Sequence, residues 1–123
     1  MLLRVVTVRI ARGREADYWA WAREILTYWD EQGVLRAGGP YSSTLADGAE
    51  IATWLTLHEN ADEIAAEFRE LYAAGRGREL IERRPPLVES TSGAILAEWA
   101  QAATGGPPEL PWTIPADVRP GSG

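Results

Sequence analysis

The sequence predicts an α+β fold in which one antiparallel sheet carries two helices on a single face. Three observations predict it. In the opening segment Val6, Val8 and Ile10 alternate with Val5, Thr7 and Arg9, the period-two pattern of a half-buried strand. Asp47-Gly48 separates two β-patterned runs, 41–46 and 49–58. Asp-Gly in that setting is a strong hairpin signal, because both central positions of a type I′ turn need positive φ and these residues tolerate it. Helical spacing then appears on both sides of the hairpin.

Each element follows in order. The first strand covers 2–10, and Arg12-Gly13-Arg14 breaks its pattern. A helix follows with Tyr18, Trp21, Ala22, Ile25, Tyr28 and Trp29 at helical spacing, and Gly33 ends it. Gly38-Gly39-Pro40 leads into the hairpin. Asn60-Ala61-Asp62-Glu63 reads as an N-cap with an acidic residue three positions on, a capping-box variant. The second helix carries Ile64, Phe68, Leu71 and Gly75 along one stripe; Gly75 and Gly77 interrupt it, and 78–84 form a short helical turn stopped by Pro85-Pro86. The last strand runs from Leu87 to Trp99. The order strand, helix, strand, strand, helix, strand is a split βαβ arrangement of ferredoxin-like type. Residues 1–103 form the domain, and 104–123 form a Pro- and Gly-rich tail with Trp112 as its aromatic anchor.

Composition narrows the chemistry. The chain has 123 residues, one domain's worth, and a core modest enough that covering one sheet face with a partner would help. No run approaches the roughly 18 apolar residues of a membrane span, and the N-terminus lacks a signal-peptide layout, so the expectation is a cytoplasmic protein with no membrane partner. There is no cysteine, hence no thiol nucleophile and no thiolate metal site. The net charge is −6 and every basic residue is arginine, so the net field repels phosphate backbones and nucleic-acid binding is disfavoured. One histidine and acidic residues without gathering spacing argue against a metal centre, and no phosphate loop follows a strand. The reading is of a site with no cofactor.

The hairpin suggests where a ligand would sit. With Asp47-Gly48 as a two-residue loop, Tyr41 lies opposite Trp54, and Tyr41, Ser43, Ala52, Trp54, Thr56 and His58 share one face. The other face shows Thr44, Ile51, Thr53, Leu55 and Leu57, a dry surface suited to close contact. The first face mixes aromatics, hydroxyls and the only histidine, as a binding pocket does. Tyr18, Trp21, Ile25 and Trp29 would roof it from the first helix, with Phe68 and Tyr72 closing it from the second. His58 and Tyr41 are the candidate catalytic pair, since histidine is the side chain that ordinarily titrates near neutrality. Alternatively, His58 could sit exposed at the strand end or brace the turn, and Tyr41 could make a structural bond. Arg9, on a strand of apolar neighbours, needs either a carboxylate or an anionic ligand. The arginines at 76, 78, 83 and 84, interleaved with Glu79 and Glu82, read as a solvated, salt-bridged face.

The layout of strand, aromatic-rich helix, glycine-containing hairpin arm, the strand Ile51-Ala52-Thr53-Trp54-Leu55-Thr56-Leu57-His58, capped helix and final strand resembles the dimeric α/β-barrel superfamily, over about residues 1–99. Within it the chain is similar to antibiotic-biosynthesis-monooxygenase-like and NIPSNAP-like small proteins. The resemblance implies a homodimer through the sheet and a pocket between each sheet and its own helices. The members that the chain resembles include cofactor-free oxygenases of aromatic polyketides, haem-degrading enzymes, isomerases and proteins with no known activity, so the implied fold does not fix a function. Trp54 matches the strand-three tryptophan of several oxygenase members. The chain departs from haem-degrading members, because it has no asparagine in the first strand and His58 ends a strand instead of lying on the second helix.

Two function classes stay open on these grounds. One is a cofactor-independent oxygenase or isomerase acting on a small apolar or aromatic molecule, bound by Trp54, Trp21, Trp29, Tyr18, Tyr72 and Arg9, with His58 and Tyr41 moving a proton. The other is a non-catalytic homodimeric binding or assembly domain.

Overall fold

The structure, a computed structural model, describes residues 1–97. The expected strand end at Trp99, the boundary at 103/104 and the tail with Trp112 lie outside the described residues. Four strands, β1 (Leu2–Ile10), β2 (Arg36–Thr44), β3 (Glu50–His58) and β4 (Val88–Ala97), form one antiparallel sheet in the order β2-β3-β1-β4. Helix α1 (Glu15–Gln32) follows β1, and α2 (Ala61–Leu71) and α3 (Gly75–Glu82) follow β3. This is the ferredoxin-like α+β topology. Among the described residues no helix is long and apolar enough to cross a membrane.

The strand periodicities decide which side chains meet the helices. From β1, Val8 and Ile10 join Ala52 and Trp54 of β3 in a core with Tyr18, Trp21, Ala22, Ile25 and Trp29 of α1, Leu71 of α2 and Leu80 of α3. On the opposite face the β1–β3 register sets Leu3, Val5, Thr7 and Arg9 beside Leu57, Leu55, Thr53 and Ile51. No helix of the described residues covers that face.

Helix ends follow local chemistry. The Asn60 side chain accepts a 2.9 Å hydrogen bond from the Glu63 backbone N–H and so starts α2 as the capping signal predicts. Instead of the short turn expected over 78–84, a helix begins at Gly75 itself. Its docking explains why glycine stands at 77: a Cβ there would lie 1.7 Å from the Leu71 carbonyl oxygen, so α3 can pack against the end of α2 only without a side chain.

The hairpin differs from the expectation by one residue. The Gly48 N–H donates to the Leu45 carbonyl at 2.9 Å and the Leu45 N–H to the Ala49 carbonyl at 2.8 Å. With Gly48 at φ 87°, this is a three-residue loop, a turn followed by a left-handed glycine bulge. The Asp47 carboxylate accepts from the Ala49 N–H and reinforces it. Tyr41 therefore pairs with Thr53, Ser42 with Ala52 and Ser43 with Ile51. Because the strand period is two, this slip moves Tyr41 off the Trp54 face and leaves it exposed on the open side of the sheet.

Candidate functional site

Between the sheet and the three helices lies a cavity of about 330 Å³, at the small end of ligand-binding pockets. Its walls are Val6, Trp21, Ile25, Trp29, Trp54, Phe68, Tyr72 and Ile81, and its polar groups are Arg4, Thr56, Arg84 and Thr91. The aromatic rings meet edge to face: Trp29 and Trp54 have centroids 5.3 Å apart at 66°, and Trp29 and Phe68 6.1 Å apart at 69°.

All three indole N–H groups are held by the protein. Trp54 Nε1 donates to the Tyr18 hydroxyl at 2.8 Å, Trp29 Nε1 to the Tyr72 hydroxyl at 2.9 Å and Trp21 Nε1 to the Leu80 carbonyl at 2.8 Å. The rings are thereby fixed in orientation and present mainly apolar surface to the cavity. Burial pushes the Tyr18 and Tyr72 hydroxyls up to about 12, so both stay neutral and serve as acceptors for these indoles.

The electrostatics of the cavity are set by Arg4 and Arg84. Arg4 lies on the helix-facing side of β1, opposite Thr56, with its guanidinium carbon 4.3 Å from the centroid of the Phe68 ring. Burial lowers its pKa from the ordinary arginine value, the Tyr72 hydroxyl opposes that, and the like charge of Arg84 adds to it. Arg84 Nη2 donates to Thr91 Oγ1 at 2.7 Å. Among the described residues three arginines are half-buried: Arg4, Arg9 and Arg84. Only Arg9 has carboxylates within 4.0 Å, those of Asp47 and Glu89.

Beneath the cavity wall lies a hydrogen-bonded chain. His58 Nε2 and Thr56 Oγ1 are 2.8 Å apart, and His58 Nδ1 is 3.1 Å from a Glu67 carboxylate oxygen. The imidazole is fully buried, and Glu67 is about a quarter exposed. A carboxylate can only accept, which puts the neutral ring's proton on Nδ1 and leaves the Nε2 lone pair to take the Thr56 O–H. Glu63 also approaches: ligand atoms of His58, Glu63 and Glu67 lie within 4.8 Å of one another. The sequence gives no spacing that would gather acidic groups, yet the turn from β3 into α2 does so. Both imidazole nitrogens are hydrogen-bonded, so the group forms a carboxylate–imidazole–hydroxyl chain.

The expected site residues thus fall into three groups. Trp21, Trp29, Trp54 and Tyr72 line the cavity together. Tyr18 and His58 lie behind the wall, Tyr18 holding the Trp54 indole and His58 holding Thr56. Tyr41 and Arg9 lie on the other face of the sheet, Tyr41 because of the hairpin slip and Arg9 because β1 alternation pairs it with Ile51, where Asp47 and Glu89 satisfy its charge. The cavity is lined by neither His58 nor Tyr41.

Sequence reasoning missed Arg4, Arg84, Thr56 as a hydroxyl aimed at His58, and Thr91. Arg78 and Arg83 do sit in ion pairs, with Glu82 and Glu24, but Arg84 turns inward from the same run. Strand alternation carries a signal for Arg4, which shares parity with Val6, Val8 and Ile10.

Neither a family model nor a curated protein matches the chain. Solved structures do. A NIPSNAP family protein from Agrobacterium tumefaciens aligns at 22% identity and a TM-score of 0.60, over 79% of this chain and 84% of that one. A NIPSNAP family protein of unknown function from the same organism aligns at 19% identity and 0.60, over 78% and 86%. An uncharacterized NIPSNAP domain protein from Burkholderia xenovorans aligns at 20% identity and 0.57, over 80% and 94%. At these identities the likeness is one of fold, and the chain is a ferredoxin-like α+β protein similar in structure to NIPSNAP-domain proteins.

Proposed function

We propose that the cavity binds a small, flat, largely aromatic molecule carrying a negatively charged group. The observation that carries this reading is the pair Arg4 and Arg84: two half-buried guanidiniums on an aromatic pocket, without a carboxylate among the described residues, in a chain whose net charge is −6. Placing two like charges together in a partly desolvated site is costly, and an anion that accepts hydrogen bonds from both offsets that cost. Fixed indole rings supply apolar walls for the rest of the ligand. Oxygenase or isomerase chemistry on such a molecule, found among the proteins the sequence resembles, passes through an enolate or phenolate that the same guanidiniums would stabilise. A simple binding role uses the same contacts without turnover.

The open sheet face supports a second proposal, that another copy of the chain covers it. Val5, Thr7 and Ile51 of that face are buried, whereas Leu3, Leu55 and Leu57 are only half-buried, and a second copy would cover the apolar surface that these leucines leave exposed.

The test of the binding reading is tryptophan fluorescence with matched pairs of flat aromatics, each carboxylate beside its primary amide. The carboxylates should perturb the emission and bind more tightly than the amides. Equal binding of both members, or none, overturns the reading.

A further inference from the structure

The geometry points to Thr56, His58 and Glu67 as a nucleophile, base and orienting carboxylate, which makes the cavity competent for acyl transfer from a small ester or thioester. This rests on the binding reading only in requiring that a ligand enter the cavity; its chemistry is independent of oxygenase or isomerase activity.

Three observations converge. Thr56 lines the cavity, and its hydroxyl is 2.8 Å from His58 Nε2. His58 Nδ1 is 3.1 Å from Glu67, which fixes the tautomer that leaves Nε2 as the acceptor. The imidazole is fully buried, with its Nε2 lone pair directed at the Thr56 hydroxyl. The sequence spacing accounts for the assembly: Thr56 and His58, two apart on β3, point to the same face, and the Asn60 cap starts α2 at once, so that Glu67 on its second turn comes back over the imidazole. This nucleophile–base–orienter constellation is recognised by geometry and not by fold.

Groups for the developing charge are also present. Arg4 is the direct cross-strand neighbour of Thr56, and such neighbours have Cβ atoms about 4.5–5.5 Å apart. With Arg84 it faces the volume where the oxyanion of a tetrahedral intermediate would form.

The reaction balances without any added redox partner. Thr56 Oγ1 bonds to the acyl carbon while its proton passes to His58 Nε2, and the carbonyl oxygen takes up the negative charge beside Arg4. The carbon–oxygen or carbon–sulfur bond to the leaving group breaks, and the leaving group takes the proton from His58. Water then attacks the acyl-threonine, giving one proton to His58, which returns it to Thr56 as the free acid departs. Thr56 is the catalytic residue and His58 its base; Glu67 is a positioning residue that acts through His58.

The experiment uses the full chain with p-nitrophenyl acetate, following p-nitrophenolate release and mapping acetyl groups by peptide mass spectrometry. Wild-type protein should release p-nitrophenolate and carry acetyl on Thr56. Thr56→Ser should stay active. Thr56→Val and His58→Gln should each lose about 10²-fold or more, the low end of what a positioned base supplies. Glu67→Gln should lower kcat with KM unchanged, since it touches only the base. Circular dichroism checks folding, and if Thr56→Val does not fold, the Thr56→Ser and Glu67→Gln results decide. Absence of acetyl on Thr56 in wild-type protein, or a rate that survives His58→Gln, overturns this inference. If carboxylates still perturb tryptophan emission in that case, the binding reading stands; if nothing binds while Thr56 is acetylated, the reverse holds.

Discussion

Replacing Tyr18 by phenylalanine tests what orients the pocket wall. Tyr18 is fully buried, and its hydroxyl accepts the 2.8 Å hydrogen bond from the buried Trp54 indole. Tyr18→Phe keeps the ring in the core and removes one oxygen, so the packing change is small. What remains is an indole N–H with no acceptor, and leaving a buried donor unsatisfied costs about 1–3 kcal/mol. Trp54→Phe removes the donor from the other side, loses ring volume and strands the Tyr18 hydroxyl. The double variant keeps the volume loss but has no stranded polar group. It should therefore be less destabilised than the sum of the single variants by about 1–2 kcal/mol, within the range for directly bonded pairs. Urea denaturation followed by far-ultraviolet circular dichroism measures all four proteins without relying on the tryptophan signal. A Tyr18→Phe variant as stable as wild type, or strictly additive effects, would show that packing alone places Trp54.

Asn60→Ala removes the side chain that accepts from the Glu63 N–H and should cost about 1 kcal/mol in the same assay, whereas Asn60→Ser should cost little. Leu55→Asp puts a charge in the centre of the open sheet face and should dissociate the proposed dimer in analytical ultracentrifugation; wild-type protein that is already a monomer at micromolar concentration contradicts the dimer. Tyr18 and Tyr72 are held neutral up to about 12 by burial. An unfolded tyrosine ionises near pH 10, so the stability they contribute is complete below that pH and declines as pH rises from about 10 to 12. An ultraviolet phenolate titration should show these two hydroxyls ionising only with alkaline unfolding.

The elements were legible because each had its own local signal: alternation in β1, helical aromatic spacing in α1, the Asn60 cap of α2. The wall tryptophans followed from the same spacing. The register of β2 was not legible, because Asp47-Gly48 suits both a two-residue loop and the last two positions of a three-residue loop, and the choice depends on whether Ala46 joins the turn. That single ambiguity carried Tyr41 to the wrong face. Arg84 was hidden in a run in which Arg78 and Arg83 form ion pairs with glutamates, and it stands directly before the Pro85–Leu87 turn that leads into β4. The Glu67 contact required the phase of α2 relative to β3, which tertiary packing sets.

The most direct test of the central claim is the preference for an aromatic carboxylate over its amide, measured by fluorescence titration in wild-type protein, Arg4→Met and Arg84→Met. Methionine preserves much of each arginine's apolar stem packing. A charge-assisted hydrogen bond contributes about 1.5–3 kcal/mol, so wild-type protein should favour the carboxylate by about tenfold or more. Each variant should lose most of that preference while its affinity for the amide stays the same. An unchanged preference in both variants would contradict the assignment of Arg4 and Arg84 as the anion-binding pair.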